Sequence, residues 1–284
     1  MKISEAFELY VLCFVTPYQS PGTARVFRYA QKSLKDFQDI ELTQLDQKFV
    51  LAWQRSLEKK LSANTIRGYT EKLRKVLKYH KASGVKCLDY TLVHSPRKEE
   101  TIPEWLTAQQ VNQLIREALK KRNGKALITR HRMAAIIAIL YSTGLRVHEL
   151  CNLNKKDIKG LSITIVGKGR KPRIVFLDKR SIYYLNDYLS LRKDNHPALF
   201  VSLGAERLTP HKIRECFRRL SEHFGKEVHP HTLRHSYATN LLSNGCHIYT
   251  LQRLMGHSSI QSTQQYLHLV DKDLEEAFTK YHKC

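Results

Sequence analysis

The stretch His229–Leu269 reads HPHTLRHSYATNLLSNGCHIYTLQRLMGHSSIQSTQQYLHL and combines basic, imidazole and phenol side chains at close spacing. It holds a His-x-x-Arg unit, His231 and Arg234, followed by His257 and, nine residues later, by Tyr266. Arginine presents donors that match phosphate oxygens, and histidine exchanges a proton near neutral pH. A tyrosine hydroxyl is a competent nucleophile when the charge developing on phosphate is neutralised. The stretch therefore predicts a pocket for a phosphodiester.

The chain is strongly basic along its whole length. Of its 284 residues, 48 are Lys or Arg and 26 are Asp or Glu, which gives a formal net charge of +22. Residues 1–94 carry 16 basic and 9 acidic side chains, a net +7, so the remainder carries +15. Because the excess is spread over both parts, it favours an extended polyanion such as duplex DNA over a small phosphate ligand.

Apolar side chains at helical spacing predict a four-helix domain over residues 1–94. The predicted helices are 4–15, 20–37, 44–60 and one that begins after Ser62. Residues 95–104 are predicted to be a linker, because the chain there is polar and charged, has no apolar periodicity and contains two prolines.

Residues 105–284 are predicted to form a mostly helical second domain. Thr107 and Gln110 make a capping box, and the nearly all-apolar run 129–142 predicts a core helix. From residue 158 to residue 177 the apolar residues alternate or are β-branched instead of following helical spacing. This pattern predicts a β-hairpin with Lys168 in its turn. Further helices are predicted at 181–191, 209–224, 232–243, 248–255 and 262–279.

Two motifs upstream of His229 add further cations. Thr143–Leu150 reads TGLRVHEL and supplies Arg146, and Gly167–Arg173 reads GKGRKPR and supplies Lys168. Together with H-x-LRHS-x-AT, LMGH and the tyrosine that follows, these motifs resemble the signature of the tyrosine recombinases, or phage-type integrases, of the Xer-like or integron-like kind. A single short motif recurs by chance, but here all five follow one another in the matching order.

The resemblance implies a fold and an activity. The fold is mainly α with a small antiparallel β-sheet, in which a SAM-like core-binding domain (1–94) precedes a catalytic domain (105–284). The activity is site-specific recombination, in which duplex DNA is cleaved and rejoined through a 3′-phosphotyrosyl intermediate. The partners are double-stranded DNA and further copies of the chain, as a tetramer on two DNA sites. No metal, ATP or other cofactor is implied.

The resemblance also implies how the phosphodiester is attacked. Tyr266 is the nucleophile, and Arg146 and Arg234 clamp the non-bridging oxygens with help from His257. His231 accepts or shares the tyrosine proton.

Two further residues complete the implied site. Lys168 protonates the leaving 5′ oxygen, and Glu149 supports the other side chains without moving a proton itself.

Several of these residues also have a purely structural interpretation. Arg146 follows a predicted helix end, where a positive charge interacts favourably with the helix dipole. Lys168 could be an ordinary turn residue. Tyr266 could pack in the core beside Leu269, as most of the 14 tyrosines should.

A metal site is the alternative for the H-x-H-x-x-x-H cluster of His229, His231 and His235. The cationic surroundings and the lack of a Cys or Asp ligand argue against it.

Other activities fit the same chemistry. A type IB topoisomerase or a hairpin-forming resolvase would use the same residues, and a non-catalytic DNA-binding protein could keep the fold.

The tail after Tyr266 carries apolar residues at helical spacing that could dock on a neighbouring copy or on the same domain.

The remaining sequence features concern location. Six cysteines are scattered without a C-x-x-C pair, which favours a reducing compartment. No signal peptide or stretch long enough to span a bilayer is predicted, so we expect a cytoplasmic protein.

Overall fold

A computed structural model of the chain divides into two compact units, Met1–Thr101 and Ile102–Cys284. The residues that the structure describes are 1–19, 21–35, 40–99, 104–121, 126–166, 172–256, 259–264 and 266. None of the helices among them is long and apolar enough to cross a membrane.

The described part of the first unit contains four α-helices. They are α1 (Ile3–Tyr10), which continues as a π-helical segment (Val11–Val15), α2 (Pro21–Ser33), α3 (Gln47–Glu58) and α4 (Ala63–Ala82). The Asp46 side chain caps α3 by accepting from the N–H of Phe49 at 2.7 Å, and Ser62 caps α4 by accepting from Thr65 at 3.4 Å.

The core of the first unit forms around Trp53, whose side chain is fully buried. Its indole N–H donates to the main-chain oxygen of Ser33 at 3.1 Å, so the one polar atom of the ring has a partner. Phe7, Phe27 and Leu73 bring buried apolar side chains from the other three helices.

The extended chain after Val93 lies against α3 and α4. Gln54 Nε2 donates to the main-chain oxygen of His94 at 2.8 Å, and Arg67 donates to that of Pro96 at 3.0 Å. Asn64 and Glu99 exchange two hydrogen bonds, each of 3.2 Å. His94 and the first part of the predicted linker, residues 95–99, are thus held on the first unit.

The described part of the second unit is also mainly helical. Its helices are α5 (Ala108–Leu119), α6 (Leu127–Thr143), α7 (Val147–Asn152), α8 (Lys179–Ser190), α9 (Pro210–Phe224), α10 (Pro230–Ser243), α11 (Ile248–Met255) and α12 (Gln261–Gln264). The central helix is α6, which is buried from Arg132 to Tyr141 and packs against α5, α8 and α10.

A three-stranded antiparallel sheet completes this unit. The strands are β1 (Ile158–Lys159), β2 (Ser162–Val166) and β3 (Pro172–Phe176), in that order across the sheet. In β2 and β3, Ile163 pairs with Val175 and Ile165 pairs with Arg173. Ile163, Ile165 and Val175 are buried, so one face of the hairpin lies on the core.

The predicted fold class, mainly α with a small antiparallel sheet, is confirmed. The spacing of apolar residues does not predict α7 or β1, because elements of six and two residues are too short to show a repeat. Of the helix predicted at 262–279, the short α12 and Tyr266, which lies in a turn, fall within the described residues.

Candidate active site

Arg234 lies in the middle of α10 and has only 1% of its surface exposed. Its guanidinium donates to the main-chain oxygen of Gly144, which ends α6, and, at 2.7 Å, to that of Met255, the last residue of α11. The last carbonyls of a helix have no partner inside it and carry the negative end of its dipole. Arg234 therefore joins the ends of two helices beneath the candidate site.

Arg146 is the exposed counterpart of this buried arginine. It is the N-cap residue of α7, and 42% of its side chain is exposed. Burial, and then the charge of Arg146, lower the pKa of Arg234 to about 10, which leaves Arg234 protonated at neutral pH. Two permanent positive charges are thus close enough to interact, and one of them faces solvent.

The carboxylate of Glu149 is enclosed by donors. The main-chain N–H of Arg146 donates to Oε2 at 2.8 Å, and Arg173 donates to Oε1 at 2.9 Å and to Oε2 at 2.7 Å. Burial acts to raise the pKa of Glu149, but these hydrogen bonds prevail and hold that pKa below its usual value. A carboxylate that is ionised and occupied in this way suits a supporting role better than proton transfer.

Arg173 is a residue of this site to which the sequence alone assigns no role. It lies on β3, and its side chain is 10% exposed. The only signal in the sequence is its place at the end of the GKG-x-K-x-R motif. A basic residue in a strand of a basic chain is otherwise unremarkable, so its pairing with Glu149 requires the tertiary structure.

Two glycines make the close packing of this site possible. Gly144 and Gly256 end α6 and α11 with φ of 62° and 61°, in the left-handed region. A Cβ on Gly144 would lie 2.4 Å from Cδ1 of Tyr237, and one on Gly256 would lie 2.9 Å from Cδ of Arg173. The turn just before His257 is therefore in direct contact with Arg173.

Three rings follow one another from the surface into the core. His231 is exposed at the start of α10, and its ring centroid lies 4.4 Å from that of the buried His235. The His235 ring lies 5.4 Å from that of Tyr266. Partial desolvation, and then the charges of Arg234 and Arg146, lower the pKa of His231. Its imidazole is therefore able to accept a proton at neutral pH.

Tyr266 has 1% of its surface exposed. It belongs to a small apolar cluster formed by α10 and α11, apart from the main core of the unit. The buried members of that cluster are Ala238, Leu242, Leu251, Met255 and Tyr266. The phenol ring is thus packed beside His235 and in one cluster with Met255, whose main-chain oxygen Arg234 binds.

Four of the six predicted site residues fall within the described structure. They are Arg146, His231, Arg234 and Tyr266. Lys168 and His257 lie outside the described residues. Among the described residues, no three His, Cys, Asp or Glu side chains are grouped so that they could hold a metal ion.

Two family models match the chain and together cover both units. The model described as the phage integrase family matches residues 104–273, and the phage integrase SAM-like domain matches residues 14–91. The chain therefore belongs to the phage integrase family, the tyrosine recombinases.

The curated relatives have consistent names. Tyrosine recombinase XerD of Oceanobacillus iheyensis is 35% identical over 201 residues, which are 67% of this chain and 66% of that protein. Tyrosine recombinase XerA of Pyrococcus horikoshii is 34% identical over 192 residues, which are 66% of this chain and 64% of that protein. The chain thus spans just under two thirds of the length of these relatives, and their activity extends to it only as a proposal.

Solved structures show the same fold. The crystal structure of XerA recombinase matches with a TM-score of 0.55 and 27% identity, covering 99% of each chain. The Tn1549 transposon integrase in complex with transposon right end DNA matches with a TM-score of 0.79 and 18% identity, covering 97% of this chain and 99% of that one.

Proposed function

We propose that the protein is a site-specific tyrosine recombinase that cleaves and rejoins duplex DNA. The observation that carries this proposal is the packing of Tyr266 against His235, which in turn contacts His231, close to the helix end at Met255 that Arg234 binds. A phenol, an imidazole able to accept a proton and two arginines are the groups that attack on a phosphodiester requires.

In the proposed cleavage step, the Tyr266 side chain leaves the buried position that it has in the free protein. Its oxygen attacks the scissile phosphorus, and the bond from phosphorus to the 5′ oxygen breaks. The products are a 3′-phosphotyrosyl ester and a free 5′-hydroxyl. The phenol proton passes to His231, and Lys168 supplies a proton to the leaving oxygen. Attack by a 5′-hydroxyl on the same ester reverses these steps and rejoins a strand.

Arg146 and Arg234 neutralise the charge that builds on the non-bridging oxygens, with His257 as a third donor. Arg146 is open to solvent and can meet a phosphate directly, whereas Arg234 lies below it and adds its charge from the interior. Because these side chains supply the positive charge, and because one ester replaces another, we propose that the reaction needs neither a metal ion nor ATP.

The partners in this proposal are duplex DNA and other copies of the chain. The net charge of +22 supports DNA as the substrate. Strand exchange joins two sites, so we propose a tetramer that holds two duplexes. We also propose that it acts in the cytoplasm.

The test is covalent trapping by Tyr266→Phe and its matched control. A duplex that the protein prefers is first selected from a random DNA pool and then nicked beside the scissile phosphate. The wild type should form a denaturant-resistant protein–DNA adduct, and Tyr266→Phe should bind the duplex without forming it. Tyr249→Phe removes an exposed hydroxyl from α11 and should behave as the wild type.

Two results would identify the nucleophile and the type of reaction. An adduct with Tyr266→Phe would show that another residue is the nucleophile. Exchange of strands between two marked duplexes separates a recombinase from an enzyme that only nicks and reseals one duplex.

A further inference from the structure

We propose that Arg173 is a positioning residue that occupies the carboxylate of Glu149 and so leaves Arg146 available to phosphate. The inference rests on the proposed function, in which Arg146 binds the scissile phosphate. It assigns a role to the last residue of the GKG-x-K-x-R motif, which the proposed mechanism does not use.

The two arginines compete unequally for Glu149. Arg173 makes a two-pronged contact, with 2.9 Å and 2.7 Å hydrogen bonds to the two carboxylate oxygens. The guanidinium of Arg146 makes a single contact of 3.3 Å with Oε1. Parallel hydrogen bonds between arginine and a carboxylate are strong and directional, so Arg173 holds Glu149 much more firmly than the Arg146 side chain does.

The pairing of Arg173 with Glu149 matters because both side chains are largely buried. The side chains of Arg173 and Glu149 are 10% and 11% exposed, whereas that of Arg146 is 42% exposed. A buried carboxylate requires a counter-ion, because leaving it without one is strongly unfavourable. Without Arg173, the nearest described cation for Glu149 is the side chain of Arg146, the N-cap of the same helix. Arg146 would then turn toward Glu149 and away from the phosphate.

Arg173 also has a structural contact that a test must separate from this role. Its side chain lies so close to Gly256 that a Cβ there would be 2.9 to 3.1 Å from Cδ, Nη1 and Cζ. Loss of the arginine would loosen the turn between α11 and His257, whatever happens to Glu149. A simple loss of activity in an Arg173 variant therefore does not identify its cause.

The decisive experiment combines Arg173→Met with Glu149→Gln. Arg173→Met keeps the aliphatic stem beside Gly256 and removes the charge. We expect its cleavage rate on the nicked duplex to fall roughly 10- to 100-fold, the range seen when a hydrogen-bond partner that orients a metal ligand is removed. In the double variant, the glutamine no longer attracts Arg146. Most of the lost rate should therefore return, although two side chains are altered.

Three measurements accompany this comparison. Arg173→Lys keeps a charge but not the paired hydrogen bonds, so its rate should lie between those of the wild type and Arg173→Met. Thermal unfolding and DNA affinity are recorded for every variant, and rates are compared only among folded, DNA-bound proteins. Arg192→Met removes another buried arginine that pairs with a carboxylate, Asp194, and it should lower thermal stability without slowing cleavage by the folded protein.

Each outcome has a separate meaning. A double variant that is as slow as Arg173→Met, or slower, overturns the role of Arg173 and leaves the proposed function intact. A wild type that forms no Tyr266-dependent adduct overturns both. Recovery of rate in the double variant, with unchanged DNA affinity, supports the competition between the two arginines, because a packing defect at Gly256 would not respond to the charge of Glu149.

Discussion

Arg234 donates a 2.7 Å hydrogen bond to the main-chain oxygen of Met255 at the end of α11. A second bond from the same guanidinium reaches Gly144 at the end of α6, and both contacts are buried. A lysine keeps the charge but is a single-point donor that cannot span both carbonyls. We expect Arg234→Lys to lower the free energy of unfolding by about 2 to 4 kcal/mol. Urea denaturation measures this loss.

The control for this prediction is Arg219→Lys. Arg219 makes an exposed ion pair with Glu215, one turn away on α9. Such pairs contribute about 0 to 1 kcal/mol, so little change is expected. Similar losses in the two variants would mean that the two carbonyl contacts of Arg234 contribute little stability.

The buried His235 predicts a loss of stability in acid. Burial, and then the charges of His231 and Arg234, lower the pKa of His235 from 6.5 to about 4. Between these values the unfolded chain binds a proton that the folded chain does not, so stability falls as the pH drops from 6.5 toward 4. The full shift corresponds to a loss of about 3 kcal/mol. Urea denaturation at pH 7, 6 and 5 measures it.

A non-titrating side chain should remove part of that dependence. In His235→Gln the decrease between pH 7 and pH 5 should be smaller than in the wild type. His211→Gln alters an exposed histidine at the start of α9 and should retain the wild-type slope. An unchanged slope in His235→Gln would assign the acid sensitivity to other groups.

Gly144 and Gly160 form a matched pair for separating crowding from backbone strain. Both have positive φ, 62° and 60°, but a Cβ on Gly144 would lie 2.4 Å from Tyr237, whereas one on Gly160 meets nothing within 4 Å. Gly160→Ala should cost about 1 kcal/mol of stability from strain alone. Gly144→Ala should cost about 1 to 3 kcal/mol more, because the Tyr237 ring must move. Thermal unfolding measures the loss of stability in each variant. Equal losses would contradict the prediction that Tyr237 crowds a side chain at position 144.

The cleavage step is expected to proceed in EDTA. The motivating feature is the positive charge of Arg146 and Arg234, which in the proposed mechanism neutralises the phosphate as a metal ion does in metal-dependent enzymes. Adduct formation on the nicked duplex should therefore have the same rate with EDTA as with added Mg²⁺. A strict requirement for Mg²⁺ or Mn²⁺ in this step would refute the proposed chemistry.

The sequence predicts the repeating parts of this fold well. Helices with a continuous apolar period, such as α6, and helices with a side-chain cap, such as α4 after Ser62, are predicted to within a few residues. The β2–β3 hairpin is predicted because its period changes from helical spacing to alternation. These features depend on local spacing, which the sequence contains.

Contacts between residues far apart in the chain could not be predicted from the sequence. The pairing of Arg173 with Glu149 joins residues 24 positions apart, and no local pattern marks them as partners. The same holds for Arg234, whose motif predicts a phosphate contact while its described hydrogen bonds go to the ends of two helices. The predicted roles of Lys168 and His257 remain predictions, because both lie outside the described residues.

The hydrogen bonds that hold residues 94–99 to the first unit determine where the chain can be divided in the laboratory. A fragment that stops at His94 would remove the acceptor of Arg67 at Pro96 and both partners of Asn64 at Glu99. One that extends through Glu99 keeps them and should be the better-behaved sample for crystallography or NMR. A polar stretch that reads as a spacer thus belongs to a folded unit, and a protease applied to the native protein should spare it.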